Sequence, residues 1–177
     1  LDSAGRQDPH FWLSPTLGLR MIDTIEELCR QIRPDAAQGF RERAEKLRVE
    51  IRGLQVEMKT HQKKSPAPSV LVAHPGWSHL AEDSGIQFVS IHRRNESEDL
   101  SGKALLQLRS RIRSHHIQFF LTDPFHPSQL LLTLANDFHL KSLGHLYSED
   151  LAPQTETGPR NYIELLKVNW QNLRGAN

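Results

Sequence analysis

Four apolar runs after residue 68 end in or next to a side chain that can bind a metal ion. In chain order, these side chains are His74, His92, Asp123 and His145. Imidazole combined with one carboxylate suits Zn²⁺ best, and additional carboxylates would shift the preference toward Mn²⁺ or Fe²⁺. Ten of the 177 residues are histidines, and only one is a cysteine. The sequence therefore predicts a metal site built on imidazole, with zinc preferred.

A further candidate ligand, His10, lies in the first part of the chain, in the segment Asp8-Pro9-His10-Phe11-Trp12. A proline before His10 and two aromatic residues after it would hold the imidazole stiffly, just ahead of a helix. Asp8 is placed to accept a hydrogen bond from the ring nitrogen that does not coordinate, as carboxylates next to metal-bound histidines do.

Each candidate also has a purely structural explanation. His74 could cap a backbone group in the turn His74-Pro75-Gly76-Trp77, and Asp123 could cap the helix that follows Pro124. His92 lies beside two arginines, as a solvated loop residue would, and His126 follows Asp123 closely. The remaining histidines fit helix ends, helix faces or the surface, namely His61, His79, His115, His116, His139.

Two helices are predicted before the apolar runs. Ser14 and Pro15 are a typical helix start, and Pro34 ends that helix. The next helix, over 35–62, carries an apolar stripe whose members are spaced 4, 3, 4, 3 and 4 residues apart, and it would be roughly 40 Å long. This pattern fits a helical hairpin or coiled coil, or a rod that touches each part of a larger protein along one stripe.

After a breaker at 63–69, strands and helices alternate. Strands are predicted at 69–73, 86–91, 117–122 and 140–146, with helices near 76–84, 103–114, 128–138 and 161–173. This alternation predicts an α/β fold with a parallel four-stranded sheet flanked by helices. Ligands of such sheets bind outside the carboxyl ends of the strands, which is where the candidate side chains stand.

Composition excludes several classes of protein. The net charge of +1 gives no electrostatic case for nucleic acid, so none is expected as a partner. No apolar stretch reaches the roughly 18 residues of a membrane-spanning helix, and a single cysteine, Cys29, excludes an internal disulfide framework. The opening residues 1–7 show no signal peptide, and they are expected either to follow a start that was removed by processing or to lie in the interior of a longer protein.

Three motifs together resemble a known family. DPHFWLSP (8–15), VAHPGWSHLAEDSGI (72–86) and FFLTDPFHPSQ (119–129) are similar to segments of the metal-binding receptors of zinc and manganese ABC importers, whose members typically carry DPHxWLSP and a later HPAW-like stretch. The final segment GPRNYIELLKVNWQNL resembles the family's last helix, so that the resemblance covers essentially the whole chain.

The resemblance implies a two-lobed receptor with a metal ion in the cleft between lobes. Residues 1–34 would be the tail of the first lobe, 35–62 a long bridging helix, and 63–177 the second lobe. His10 and His74 would be ligands from opposite sides of the cleft. The protein would be periplasmic or lipid-anchored outside the cell, would not be an enzyme, and would deliver its ion to a membrane permease.

The chain departs from the family in three respects. Most of the first lobe, which supplies another histidine ligand, is absent and would be needed to complete the site. Many members carry an aspartate after the last strand, but positions 145–147 hold none, so either His145 or a water molecule is expected to take its place, with Asp123 as a further candidate ligand. The chain has no histidine-rich loop, and the acidic residues at 96–99 fit a solvated loop.

Two alternative functions stay open at this stage. One is a metal-independent surface adhesin or interaction module on the same fold. The other is a zinc-dependent hydrolase that would use His74, Asp123 and His126 around an open zinc position.

Overall fold

A computed structural model describes residues 8–63, 68–91, 101–151 and 158–176. The helices are α1 (Pro15–Ile32), α2 (Ala37–Gln62), α3 (Ser78–Ser84), α4 (Gly102–Ser114), α5 (Gln129–Asp137) and α6 (Tyr162–Leu173). The strands are β1 (Ser69–Val72), β2 (Gln87–Ser90), β3 (Phe119–Thr122) and β4 (Lys141–His145). Short 3₁₀ turns span Phe11–Leu13, Pro34–Ala36 and Arg174–Ala176. The interpretations made for His92 and for the acidic residues 96–99 lie outside the described residues.

The four strands form one parallel sheet in the order β2-β1-β3-β4, which confirms the predicted fold class. Because all strands run the same way, their carboxyl ends lie along one edge. His74, Asp123 and Glu149 follow β1, β3 and β4 on this side of the sheet.

Side chains alternate across the sheet and build a core on each face. Val70 and Val72 point into the larger core, which also contains buried residues of α1, α2, α3 and α6. Leu71 points into the smaller core, whose other members come from β2, α4 and α5 and the residues near them. Helices therefore cover both faces, as parallel sheets require.

Helices α1 and α2 form an antiparallel pair that contributes to the larger core, on one face of the sheet. As predicted, the hydroxyl of Ser14 caps α1 by accepting from the backbone N–H of Leu17 at 3.1 Å. Arg48 of α2 joins the two helices through Asp23 at 2.8 Å and Glu26 at 2.5 Å. The 26 residues of α2 reach roughly 39 Å, and its second half packs against α3 and α6.

The second half of α1 leaves its apolar face uncovered by the described residues. Ile25, Leu28 and Ile32 are 51%, 51% and 75% exposed, whereas Ile22, one turn earlier, is only 5% exposed. Among the described helices, none combines the length and the apolar character needed to cross a membrane.

Candidate metal centre

Two histidines from distant parts of the chain face each other at the carboxyl edge of the sheet. His10 lies in the turn ahead of α1, and His74 lies two residues after the end of β1. Their Nε2 atoms are 3.1 Å apart. Two nitrogens bound to one tetrahedral zinc ion at 2.0–2.1 Å would be separated by roughly 3.3 Å. A shift of a few tenths of an ångström therefore allows this pair to share one ion.

His10 is held in the tautomer that a metal ligand needs. Its Nδ1 lies 2.7 Å from Oδ1 of Asp8, so Nδ1–H donates to the carboxylate and the Nε2 lone pair is free to coordinate. The same oxygen accepts from the backbone N–H of His10 at 3.0 Å. The bond from the ring nitrogen is the one that the sequence analysis predicted for Asp8.

The Asp8 carboxylate is itself fixed by α3. Its Oδ2 accepts from the backbone N–H of Ser78 at 3.2 Å and from the Ser78 hydroxyl. Burial would raise the pKa of Asp8, but the hydrogen bonds from Ser78 and His10 outweigh it and lower the pKa to about 2. Asp8 is therefore ionised at neutral pH and orients His10 as a charged acceptor.

His74 is kept neutral by its surroundings. Burial, together with the neighbouring imidazoles of His126 and His10, lowers the pKa of His74 to about 4. A neutral imidazole has a lone pair to give to a metal ion, whereas a protonated one has none. At neutral pH this side chain can thus coordinate without first losing a proton to solvent.

Gly76 permits the close approach of the two imidazoles. A Cβ atom at this position would lie 2.6 Å from Nδ1 of His10 and 2.7 Å from Nε2 of His74. Both contacts are shorter than real Cβ atoms show, so the glycine in the turn after β1 leaves room for the histidine pair.

Glu149 brings a carboxylate to the same place. One ligand atom from each of His10, His74 and Glu149 can be chosen so that all three lie within 4.8 Å of one another. Sequence reasoning missed Glu149, because the search for an acidic residue after the last strand stopped at position 147. The signal was present, since Glu149 is the first carboxylate after β4.

His126 adjoins both His74 and Glu149. Its ring is stacked on that of His74 with centroids 4.1 Å apart and planes 5° apart. Its Nε2 lies 3.0 Å from Oε1 of Glu149. The sequence analysis placed this residue near the strand end and named it beside a metal ion only in the hydrolase alternative.

The other two predicted ligands lie outside the group formed by His10, His74 and Glu149. Asp123 is buried and accepts from the backbone N–H of Phe125 at 3.0 Å and from the hydroxyl of Ser148 at 2.5 Å. His145 is exposed, and its Nδ1 lies 2.6 Å from the hydroxyl oxygen of Thr122.

Comparison with known proteins shows which family this chain resembles in sequence. Residues 2–176 match a family model described as "Zinc-uptake complex component A periplasmic". The chain is 22% identical over 169 residues to the high-affinity zinc uptake system protein ZnuA of Bacillus subtilis, covering 96% of this chain and 53% of that protein. It is also 22% identical to the zinc-binding lipoprotein AdcA of Streptococcus pneumoniae, over 94% of this chain and 33% of that protein. The chain thus spans about half or less of these relatives.

Solved structures show the same fold. A periplasmic metal-binding protein from Candidatus Liberibacter asiaticus superposes with a TM-score of 0.84 at 21% identity, over 99% of this chain and 66% of that one. A crystal structure of ZnuA superposes with a TM-score of 0.79 at 20% identity, over 100% of this chain and 63% of that one.

Proposed function

This chain belongs to the family of periplasmic zinc-uptake components, and we propose that it captures a zinc ion at the His10–His74 pair as part of a metal-importing receptor. The observation that carries the proposal is the 3.1 Å separation of the two Nε2 atoms. The activity is reversible coordination, and the ion is the cargo.

The proposed ligands are His10, His74 and Glu149. Two neutral imidazoles and one carboxylate favour zinc over the harder ion Mn²⁺. Support for metal capture also comes from relatives whose names state zinc uptake or zinc binding. Structures of the Candidatus Liberibacter asiaticus protein with Mn and Cd keep other divalent ions open as cargo. Asp123 and His145 remain ligands predicted from sequence.

We further propose that a first lobe, which residues 1–177 do not include, closes the site from the other side of a cleft. The partial coverage of the relatives supports this proposal. So do Ile25, Leu28 and Ile32, whose exposed apolar side chains on α1 would be covered by such a lobe. Residues 1–34, 35–62 and 63–177 would then be the end of that lobe, the bridging helix and the second lobe.

We also propose that the protein lies in the periplasm, or on a lipid anchor outside the cell. There it would deliver its ion to a membrane permease. The names of the relatives include both a periplasmic component and a lipoprotein, which supports either location.

Zinc titration calorimetry of the histidine variants tests the assignment. We expect the double variant His10→Ala/His74→Ala to bind no measurable zinc, because both nitrogens that face the ion are removed. His115→Ala, at the end of α4, is the matched control and should bind zinc as the original chain does. Circular dichroism checks that the double variant is folded. Unchanged zinc affinity in a folded double variant would falsify the proposed site.

A further inference from the structure

His126 contacts two of the proposed ligands without being one of them. We infer that His126 is a positioning residue, which holds the Glu149 carboxylate toward the His10–His74 pair and fixes the plane of His74. This inference rests on the proposed function, since it concerns how that metal site is preorganised.

The Glu149 side chain needs such a support because about half of it is exposed. It keeps 49% of its side-chain surface accessible, and a free carboxylate there would sample several rotamers. The His126 ring is 16% exposed and has its Nε2 at 3.0 Å from Oε1 of Glu149. With Nε2 protonated, the ring donates to one carboxylate oxygen and leaves the other oxygen free for an ion.

The position of His126 is fixed by the turn that follows β3. Its backbone N–H donates to the carbonyl of Asp123 at 3.1 Å. The Asp123 carboxylate then accepts from the hydroxyl of Ser148 at 2.5 Å, one residue before Glu149. The turn that carries His126 and the segment that carries Glu149 are therefore joined through buried groups, so that the two side chains meet in a fixed register.

The stacking of His126 on His74 argues against His126 binding the same ion as His74. The rings of His74 and His126 are parallel to within 5° at a centroid distance of 4.1 Å. An imidazole nitrogen directs its lone pair within the plane of its ring, so an ion in the plane of His74 lies out of the plane of His126. His126 instead covers one face of His74 and limits rotation of that ring.

The physical consequence is a site whose carboxylate and imidazole are oriented before the ion arrives. Residues that orient metal ligands in this way typically contribute about 10–100-fold to metal affinity. The contribution of His126 should depend on Glu149, because the hydrogen bond between them is what holds the carboxylate toward the histidine pair.

A double-mutant cycle on zinc affinity tests this dependence. The variants are His126→Ala, Glu149→Ala and the combination of the two, with His115→Ala as control. We expect His126→Ala to weaken zinc binding by roughly 10-fold when Glu149 is present. In the Glu149→Ala background the same change should weaken zinc binding by no more than about twofold, because the carboxylate is already gone and only the contact of His126 with the His74 ring remains to be lost.

Two additional variants separate the hydrogen bond from the ring. His126→Gln keeps an N–H donor and should retain more zinc affinity than His126→Ala. His126→Phe keeps a stacked ring without a donor, and it replaces His126→Ala if the alanine variant does not fold. The visible absorption of bound Co²⁺ provides a readout of ligand geometry that a general loss of stability would not change.

The outcomes distinguish this inference from the proposed function. If the original chain binds zinc, His10→Ala/His74→Ala does not, and His126→Ala binds as tightly as the original chain, then the inference is wrong and the proposed function stands. Equal losses in both Glu149 backgrounds would also overturn it, since His126 would then act independently of the carboxylate. A protein that binds no zinc at all with its first lobe included would overturn both.

Discussion

The carboxylate of Asp123 accepts a hydrogen bond of 2.5 Å from the hydroxyl of Ser148, and both residues are buried. This bond joins the turn after β3 to the segment after β4. Burial raises the pKa of Asp123, with Ser148 and the backbone N–H of Phe125 acting in the opposite direction. The residue predicted from sequence to be a ligand thus also has a role in holding the two segments together.

Substitutions at Asp123 test whether its carboxylate binds the metal ion or only stabilises the fold. We expect Asp123→Asn to keep most of the zinc affinity, because an amide can still accept from Phe125 and pair with Ser148. Asp123→Ala leaves the buried hydroxyl of Ser148 without its acceptor, which should cost about 1–3 kcal/mol of unfolding free energy. Calorimetry with zinc and urea unfolding provide the two measurements. Loss of zinc binding in an Asp123→Asn variant of unchanged stability would instead identify Asp123 as a ligand.

Glu149 and Asp150 are adjacent exposed carboxylates, and only the first reaches the histidine pair. We expect Glu149→Ala to weaken zinc binding by at least roughly 10-fold, because it removes an oxygen ligand from a site of few ligands. Asp150→Ala removes the same charge one residue away and should leave zinc affinity within about twofold, so it controls for long-range electrostatics. Equal effects of the two substitutions in zinc titrations would argue against coordination by Glu149.

The elements of the fold were readable from local sequence, but the full site was not. Ser14, Pro15 and Pro34 mark the ends of α1 through local backbone chemistry, and the observed bounds follow them closely. The short apolar runs each became one strand of the parallel sheet, because such sheets bury both faces.

His10 and His74 were identified as ligand candidates because each stands in a rigid motif at a position where the fold binds ligands. Glu149 and His126 were missed as partners, since their meeting depends on the conformation of two turns that no periodicity encodes. The hydrogen bond from Ser148 to Asp123 sets that conformation, and it joins residues 25 positions apart.

Two helical glycines provide a matched test of packing. A Cβ at Gly18 of α1 would meet the Tyr162 hydroxyl at 2.3 Å, and that hydroxyl donates to the carbonyl of Trp12 at 2.8 Å. A Cβ at Gly53 of α2 would meet no heavy atom within 4 Å.

We therefore expect the same substitution, glycine to alanine, to change the free energy of unfolding in opposite directions at the two positions. Gly18→Ala should lower the free energy of unfolding by about 1–3 kcal/mol, because it displaces the partly buried Tyr162. Gly53→Ala should raise it by roughly 0.5–1 kcal/mol, because alanine favours the helix and nothing obstructs its methyl group. Urea unfolding of the metal-free chain measures both changes. If Gly18→Ala stabilised the chain as Gly53→Ala does, the close packing of α1 against Tyr162 would be wrong.

The lowered pKa of His74 predicts how the stability of the metal-free chain depends on pH. Its ordinary value of 6.5 in the unfolded chain falls to about 4 in the folded one. Between these values the unfolded chain binds a proton that the folded chain excludes. Stability must therefore fall as the pH decreases from about 6.5 to about 4, by at most about 1.4 kcal/mol per pH unit for this one proton.

The variant His74→Gln removes this component and leaves the other titrating groups in place. We expect its unfolding free energy to vary less than that of the original chain across this pH window, and the two chains to show a constant difference above about pH 7.5. Urea unfolding with a chelator present, at intervals from pH 8 to pH 4.5, measures both curves. Parallel curves over the whole range would show that His74 accepts a proton as readily in the fold as in water. In that case the histidine pair would have to lose a proton before taking up a metal ion at mildly acidic pH.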